Sequence, residues 1–236
     1  MYEKKYSSFL TVLLVIIIIA IVAALGFGGY KVYQQFNSTK DANEFVNSFI
    51  ENTANNEIIS NNTVNEENNE NNVAGENGAL NQLQNTPEGN GTGSSDGGKT
   101  QTYKGFAVIG TIEIPKTNLS YPILKEASAA AIEKSVAMLC GSGPNKPGNT
   151  LIIGHNYRNG QFFANNKNLS KGDKVYITDL SGKRLSYTIY DKFETTTEDT
   201  EFITRNTNGA REISLQTCTD DGSLRLIILA KCDLDS

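Results

Sequence analysis

The hydrophobic and polar positions fall into three regimes along the chain. Residues 10–29 are almost wholly apolar, running from Leu10 without a break through Leu25 and on to Gly29. A run of about 20 such residues is long enough to cross a bilayer as a helix. Residues 37–99 are rich in Asn, Glu, Gly, Ser and Thr, and no Lys or Arg occurs between Asp41 and Gly98. From about Tyr103 onward, short apolar runs alternate with polar positions and are punctuated by Gly, Pro and Asn. That pattern predicts β-strands joined by tight turns.

Seven strands are predicted. Ala107-Val108-Ile109-Gly110-Thr111-Ile112-Glu113-Ile114 alternates and stops at Pro115. Ser120-Tyr121-Pro122-Ile123-Leu124 is a short strand placed at an edge by its proline. Thr150-Leu151-Ile152-Ile153-Gly154 is a continuous apolar strand with His155 at its end. Residues 174–178, 184–193, 212–217 and 224–231 supply four more, with Ser181-Gly182 as the turn between the first two of these. Residues 128–138 read as a short helix with Ser128 as N-cap, and residues 162–169 as another. Many short strands, few helices and no βαβ rhythm define a mainly β fold, a closed or nearly closed β-barrel with short helices.

The domain organisation follows. Residues 1–9 precede the apolar run, and residues 10–29 form a single transmembrane signal-anchor. Residues 30–102 are a juxtamembrane segment and a disordered, Asn/Gly-rich flexible linker, and residues 103–236 are the barrel domain. A cleaved signal peptide is the alternative for the apolar run. Its apolar region spans roughly 7–15 residues, whereas this run is longer and is followed by Tyr30, Tyr33 and Phe36. Lys4 and Lys5 before the run against Lys31 after it favour a cytoplasmic N-terminus. The barrel then lies on the extracellular face of the cell membrane. The acidic linker composition cannot bury enough apolar surface to offset its ordering entropy. Phe45, Val46, Phe49 and Ile50 are the exception: their helical spacing could extend a juxtamembrane helix or dock on the domain.

Charge and cysteine content narrow the chemistry. The 236-residue chain has a formal net charge of −5 and no basic stripe, which argues against nucleic-acid binding. Three cysteines, Cys140, Cys218 and Cys232, do not form a disulfide framework, and a single histidine gives no zinc spacing. Cys140 and Cys232 read as small buried hydrophobes, with a bridge between them as the lesser option. Cys218 ends a strand in Ser214-Leu215-Gln216-Thr217-Cys218-Thr219, and any Cys/His chemistry must use His155. Arg225 opens the next apolar run across a short connection and can supply a fixed cation. Taken singly, each has an ordinary reading: a buried thiol, a structural imidazole, a solvated arginine. Spacing alone leaves both readings open. The order, His before Cys, is not that of papain-like peptidases, and the caspase-type Gln-Ala-Cys-x-Gly string is absent.

Several motifs in order lift the chemical reading. Ile109-Gly110-Thr111-Ile112-Glu113-Ile114-Pro115, Tyr121-Pro122-Ile123, Asn149-Thr150-Leu151-Ile152-Ile153-Gly154-His155-Asn156, the Cys218 string and Leu224-Arg225-Leu226-Ile227-Ile228 follow one another from about Phe106 to the end of the chain. This region resembles a sortase, the cysteine transpeptidase family that attaches proteins to the wall of Gram-positive bacteria. The strand wording is closest to class B or D. Ser214 stands where the family signature, Thr-Leu-x-Thr-Cys, begins with Thr. The Cys218-to-Arg225 connection is shorter than in the best-known members, and the stretch from Glu194 to Arg211 lacks the long helix of class B.

The resemblance implies Cys218, His155 and Arg225 as catalytic residues, with Thr217 as a lesser substrate-binding contact and no metal ligand. It implies cleavage of a sorting signal similar to Leu-Pro-x-Thr-Gly through a thioacyl-enzyme. The partners would be secreted proteins bearing that signal and a peptidoglycan or pilin amine. No cofactor is required. Calcium stimulates some sortases, and Glu194, Glu198, Asp199 and Glu201 are the acidic residues that could hold it, but a solvated acidic loop is the favoured reading of them and calcium is not supported. The alternatives are an inactive wall-associated peptide-binding barrel and a cysteine endopeptidase, a thiol-dependent hydrolase with water as acceptor.

Overall fold

The computed structural model describes residues 3–64 and 101–235. Nine strands form one sheet: β1 (Thr102–Tyr103), β2 (Phe106–Ile114), β3 (Leu119–Leu124), β4 (Val136–Gly141), β5 (Gly148–Ile153), β6 (Lys174–Asp179), β7 (Arg184–Thr195), β8 (Arg211–Cys218) and β9 (Arg225–Cys232). Their order is β1-β2-β3-β4-β5-β8-β9-β7-β6, and β6 returns to pair with β2. Eight strands therefore close a barrel, and β1 is a short addition to β2. The pairs β3–β4 and β5–β8 are parallel, and the others are antiparallel.

Closure explains the alternation seen in the sequence. Ile112, Ile114, Ile123, Ile152, Ile177, Tyr187, Ile189, Ile213, Leu215, Ile228 and Ala230 point inward and form the main core. The opposite face of β5 and β9 is also covered. Leu151, Ile227 and Leu229 pack with Phe202 of the short helix α3 (Glu201–Thr204), and Ile153, Phe193 and Ile203 lie against them. Strands apolar on both faces are thus buried on both. β3 carries Pro122 yet pairs on both sides, with β2 and β4, so it is not an edge strand.

Three further expectations are corrected. The segment 128–138 is only one turn of helix, α2 (Ala129–Ile132), capped as predicted by Ser128, whose Oγ accepts from the Ala131 N–H at 3.2 Å. The remainder becomes β4. Buried Ser135 donates to the Pro122 carbonyl at 2.6 Å, and Val136 and Ala137 pair with Ile123 and Leu124. Pairing with β3 outweighs the helix propensity of the alanines. Residues 162–169 hold only a 3₁₀ turn, Asn166–Asn168.

The third correction concerns the linker. Residues 30–64 continue a single helix, α1 (Glu3–Val64), in place of flexible linker, the alternative that the spacing of Phe45, Val46, Phe49 and Ile50 had left open. Ala42, Val46, Phe49 and Thr53 are buried at helical spacing, with α1 packed beside β3. Phe45 meets the Tyr103 ring edge-on at 5.1 Å, and Asp41 pairs with Lys104 at 3.3 Å. Gly182, at φ +87°, lies in the β6–β7 turn, where a Cβ would come within 3.2 Å of Thr53. Burial of this one stripe offsets an unfavourable composition. The rest of the predicted linker, residues 65–100, lies outside the described residues. At the other end of α1, Leu10–Tyr30 is apolar and long enough to cross a membrane, and none of it is buried against the barrel.

Candidate active site

Two parallel strands set His155 and Cys218 level with each other. β5 and β8 run side by side with Ile153 opposite Gln216, and the Gly154 N–H extends the ladder to the Gln216 carbonyl at 3.2 Å. Two residues past that pair on each strand, the chain reaches His155 and Cys218. Gly154 is fitted to its place: a Cβ there would lie 2.9 Å from both Phe163 and Val136. Cys218 is in turn the register partner of Arg225, where β8 turns into β9. The three residues proposed from the sequence therefore sit at one rim of the barrel on adjacent strands.

The loops around them are tied down. Asn156 donates from Nδ2 to the Cys218 carbonyl and to Asp220 Oδ1, both at 3.0 Å. Its Oδ1 accepts the Arg158 N–H at 3.1 Å. Asp220 also pairs with Lys167 at 2.7 Å. In the β8–β9 connection, Asp221 accepts from the Thr219 hydroxyl at 2.6 Å and from the Ser223 hydroxyl at 2.8 Å. Those hydrogen bonds, Thr219 first, hold the Asp221 carboxyl down at about 2. Arg225 turns Nη1 toward the carbonyls of Leu224 and Gly222, at 3.2 and 3.5 Å.

His155 is held from the far side. Its ring stacks on Tyr157 with centroids 4.7 Å apart, and its buried Nε2 faces a Glu133 carboxylate oxygen at 3.6 Å without a hydrogen bond. Burial, then the Glu133 carboxylate, push the Tyr157 phenol up to about 12. Between this group and α1 lies a polar cavity of about 710 Å³ reaching Ser38, Asp41 and Lys104. A smaller cleft of about 330 Å³ opens beside Cys218, lined in part by Asn156, Lys167, Glu194, Thr217 and Asp220.

Ser214, the departure from the family signature, keeps a structural role through its hydroxyl. It donates to Asn149 Oδ1 at 3.0 Å and accepts from Arg205 at 2.8 Å. Arg205 also pairs with Glu212 at 2.7 Å and so fastens α3 to β8. Sequence reading missed Arg205, Asn156, Glu133 and Tyr157. Only the position of Asn156, immediately after His155, was a usable signal.

Cys140 is exposed, not buried as expected, while Cys232 lies in the core, and neither is bridged. Asp199 accepts from Thr195 Oγ1 at 2.5 Å and from the Glu201 N–H at 3.0 Å, and Glu198 accepts from Thr197 at 2.6 Å. Among the described residues no three His, Cys, Asp or Glu side chains converge on a metal position.

One barrel rim thus carries a thiol, an imidazole and a guanidinium at the ends of adjacent strands, while His155 faces Glu133 and Tyr157 and Arg225 faces the Gly222 and Leu224 carbonyls. Comparison with known proteins gives the family. A model of the Sortase domain matches residues 112–233, just over half of the chain. The chain belongs to the sortase family. It is 31% identical to a protein named Sortase A from Bacillus anthracis over 124 residues, which are 51% of this chain and 58% of that one. It is 30% identical to Sortase A of Listeria monocytogenes over 118 residues, 49% of this chain and 51% of the relative. The chain thus spans little more than half the length of the curated relatives it matches. The crystal structure of Streptococcus pneumoniae sortase C superposes with a TM-score of 0.50 at 23% identity, over 56% of this chain and 68% of that chain, a likeness of fold.

Proposed function

We propose that the protein is a membrane-anchored cysteine transpeptidase acting on a sorting signal similar to Leu-Pro-x-Thr-Gly. The observation that carries this reading is the register at the rim: Cys218 opposite Arg225, with the parallel β5–β8 ladder bringing His155 level. The Cys218 thiolate attacks the carbonyl after the signal's Thr. The C–N bond breaks, the leaving amine takes a proton from His155, and a thioester remains on the sulfur. Arg225 stabilises the oxyanion or holds the substrate carbonyl. An amine from the cell wall or a pilin subunit then forms the new C–N bond as the C–S bond breaks. Where α3 covers the outer face of β5 and β9, Ile153 of β5 and Ile203 of α3 stay only partly buried and offer an apolar edge for an extended signal peptide. The apolar segment Leu10–Tyr30 is the anchor, with Lys4 and Lys5 favouring a cytoplasmic start and an extracellular barrel.

The test is intact-mass spectrometry of the protein incubated with a small panel of sorting-signal peptides, beside Cys218→Ala. The expected result is a peptide-specific adduct absent from the variant. No adduct from folded, reduced protein would reject the thioacyl mechanism. An adduct released only to water, whatever amine is added, would make the protein an endopeptidase.

A further inference from the structure

Strand direction fixes which end of the barrel the long helix meets first. β5 and β8 are parallel, and β7 runs the same way, because β7 and β8 both pair antiparallel with β9. His155 follows the end of β5 and Cys218 is the last residue of β8, so both stand at the end where these three strands finish. The β6–β7 turn, from which β7 starts, lies at the opposite end. α1 touches both. Asn37, Ser38 and Asp41 share the 710 Å³ cavity with Glu133, Tyr157 and Gln161, beside His155. Farther along α1, Thr53 lies against Gly182 of the β6–β7 turn. From Asp41 to Thr53 the helix advances about 18 Å, the length of an ordinary strand. α1 therefore runs down the flank of the barrel from the catalytic rim to the far end.

In the other direction α1 leads into the apolar span. It is helical without interruption from Glu3 to Val64, and Lys31 to Val64 contains no Gly or Pro at which a helix would kink. Leu10–Tyr30 is the stretch long enough to cross a membrane. From Tyr30 to the cavity-lining residues Asn37 to Asp41 the helix rises only about 10–16 Å, and a headgroup layer takes up about 5–8 Å of that. The catalytic rim is thus the first part of the barrel that the helix reaches on leaving the bilayer. Its lining there is polar, which suits a surface held above headgroups and not one sunk in hydrocarbon.

We propose that the end of the barrel carrying His155 and Cys218 faces the bilayer, and that α1 is a rigid spacer holding it just above the headgroup layer. The partner is the lipid surface itself. Rim and headgroups form two walls of one gap, and a peptide reaches Cys218 sideways through that gap. The inference rests on the membrane-anchor reading above and adds to it an orientation and a height. A helix tilt of about 20° lowers the rim slightly and does not exchange the two ends.

The experiment uses the full chain in lipid nanodiscs. Cys140→Ser and Cys218→Ala remove the accessible thiols, and Cys232 is buried. One donor dye is then attached through Lys134→Cys, next to Glu133 at the catalytic rim, or through Lys183→Cys, in the β6–β7 turn; both side chains are exposed. A third label through Ser223→Cys, also exposed, marks the rim in the β8–β9 connection. Energy transfer to acceptor dyes on the lipid headgroups reads the height of each. Positions 134 and 223 should lie near the lipid and position 183 farther by roughly 15–20 Å, the advance of α1 between the two ends. Equal transfer at all three, or the strongest transfer at 183, overturns the proposal. A flexible Gly/Ser insertion between Gln35 and Phe36 should collapse the difference without changing the melting temperature. A difference that survives the insertion overturns the spacer role, since the barrel surface would then set the orientation by itself. Alkaline carbonate extraction separates this proposal from the reading beneath it. Release of the chain into the soluble fraction defeats the anchor and the orientation with it, whereas retained chain with equal transfer defeats the orientation alone.

Discussion

At the scale of single residues, the site depends on groups that fix loops as much as on those that react. Asn156 ties the loop after His155 to the carbonyl of Cys218 and to Asp220. Asn156→Ala should leave the barrel folded and slow acylation about tenfold, since each lost hydrogen bond is worth roughly 0.5–1.5 kcal/mol; rapid-quench mass spectrometry reads the rate. Arg225→Lys keeps the charge but loses the planar fork, and on the proposed mechanism it should cut turnover by about a hundredfold or more at unchanged melting temperature. The strand-end positions of Cys218, His155 and Arg225 were legible in the sequence because the apolar pattern marks those ends; the roles given to them came from the family resemblance and stand as proposals. Glu133 and Tyr157 were not. They reach His155 from the end of α2 and from a loop, and no periodicity links those segments to β5.

At the scale of elements, the same contrast holds between strands and the segments that lean on them. All seven strands expected from alternation are present, because a barrel buries one face of each. β4 was hidden because its sequence follows a run of alanines, and only pairing with β3 makes it extended. The docked part of α1 showed in the sequence only as the helical spacing of Phe45, Val46, Phe49 and Ile50 within an otherwise linker-like composition. Four buried side chains, Ala42, Val46, Phe49 and Thr53, are few against a surrounding excess of Asn and Glu. This docking is testable. Phe49 is fully buried, and Phe→Ala changes in cores cost about 3–5 kcal/mol. Phe49→Ala should therefore strip hydrogen-exchange protection from residues 42–53 and leave the protection of β5, β8 and β9 in place. Loss across the whole barrel would instead make α1 part of one cooperative unit with it, and unchanged protection would show that Phe49 does not hold the helix.

At the scale of the whole molecule, the ionisable groups built into the fold set the pH window in which it stands. Tyr103 is nearly fully buried under α1, and desolvation, reinforced by Asp41, pushes its phenol up to about 12. Burial does the same to Tyr190, to about 12, and raises the buried Tyr187 as well. A tyrosine in an unfolded chain ionises near 10. The folded value is the higher one, so the stabilisation is complete below about pH 10 and is lost as pH rises from there through 12. For Tyr103 alone, two units correspond to roughly 2–3 kcal/mol, and the more exposed Tyr190 adds less. On the acid side the sign reverses. Asp235, bound by Arg211 through paired hydrogen bonds at 2.6 and 2.8 Å, is held below the ordinary carboxylate range. Its contribution is present above about pH 4 and fades as pH falls below that. The chain has no Trp and the tyrosines themselves titrate in this range, so melting is followed by far-ultraviolet circular dichroism. The melting temperature should be flat through neutral pH and drop between pH 10 and 12, and Tyr103→Phe should shrink that alkaline drop without lowering the neutral plateau. A drop of the same size in Tyr103→Phe would mean that the buried phenol under α1 does not govern the alkaline limit.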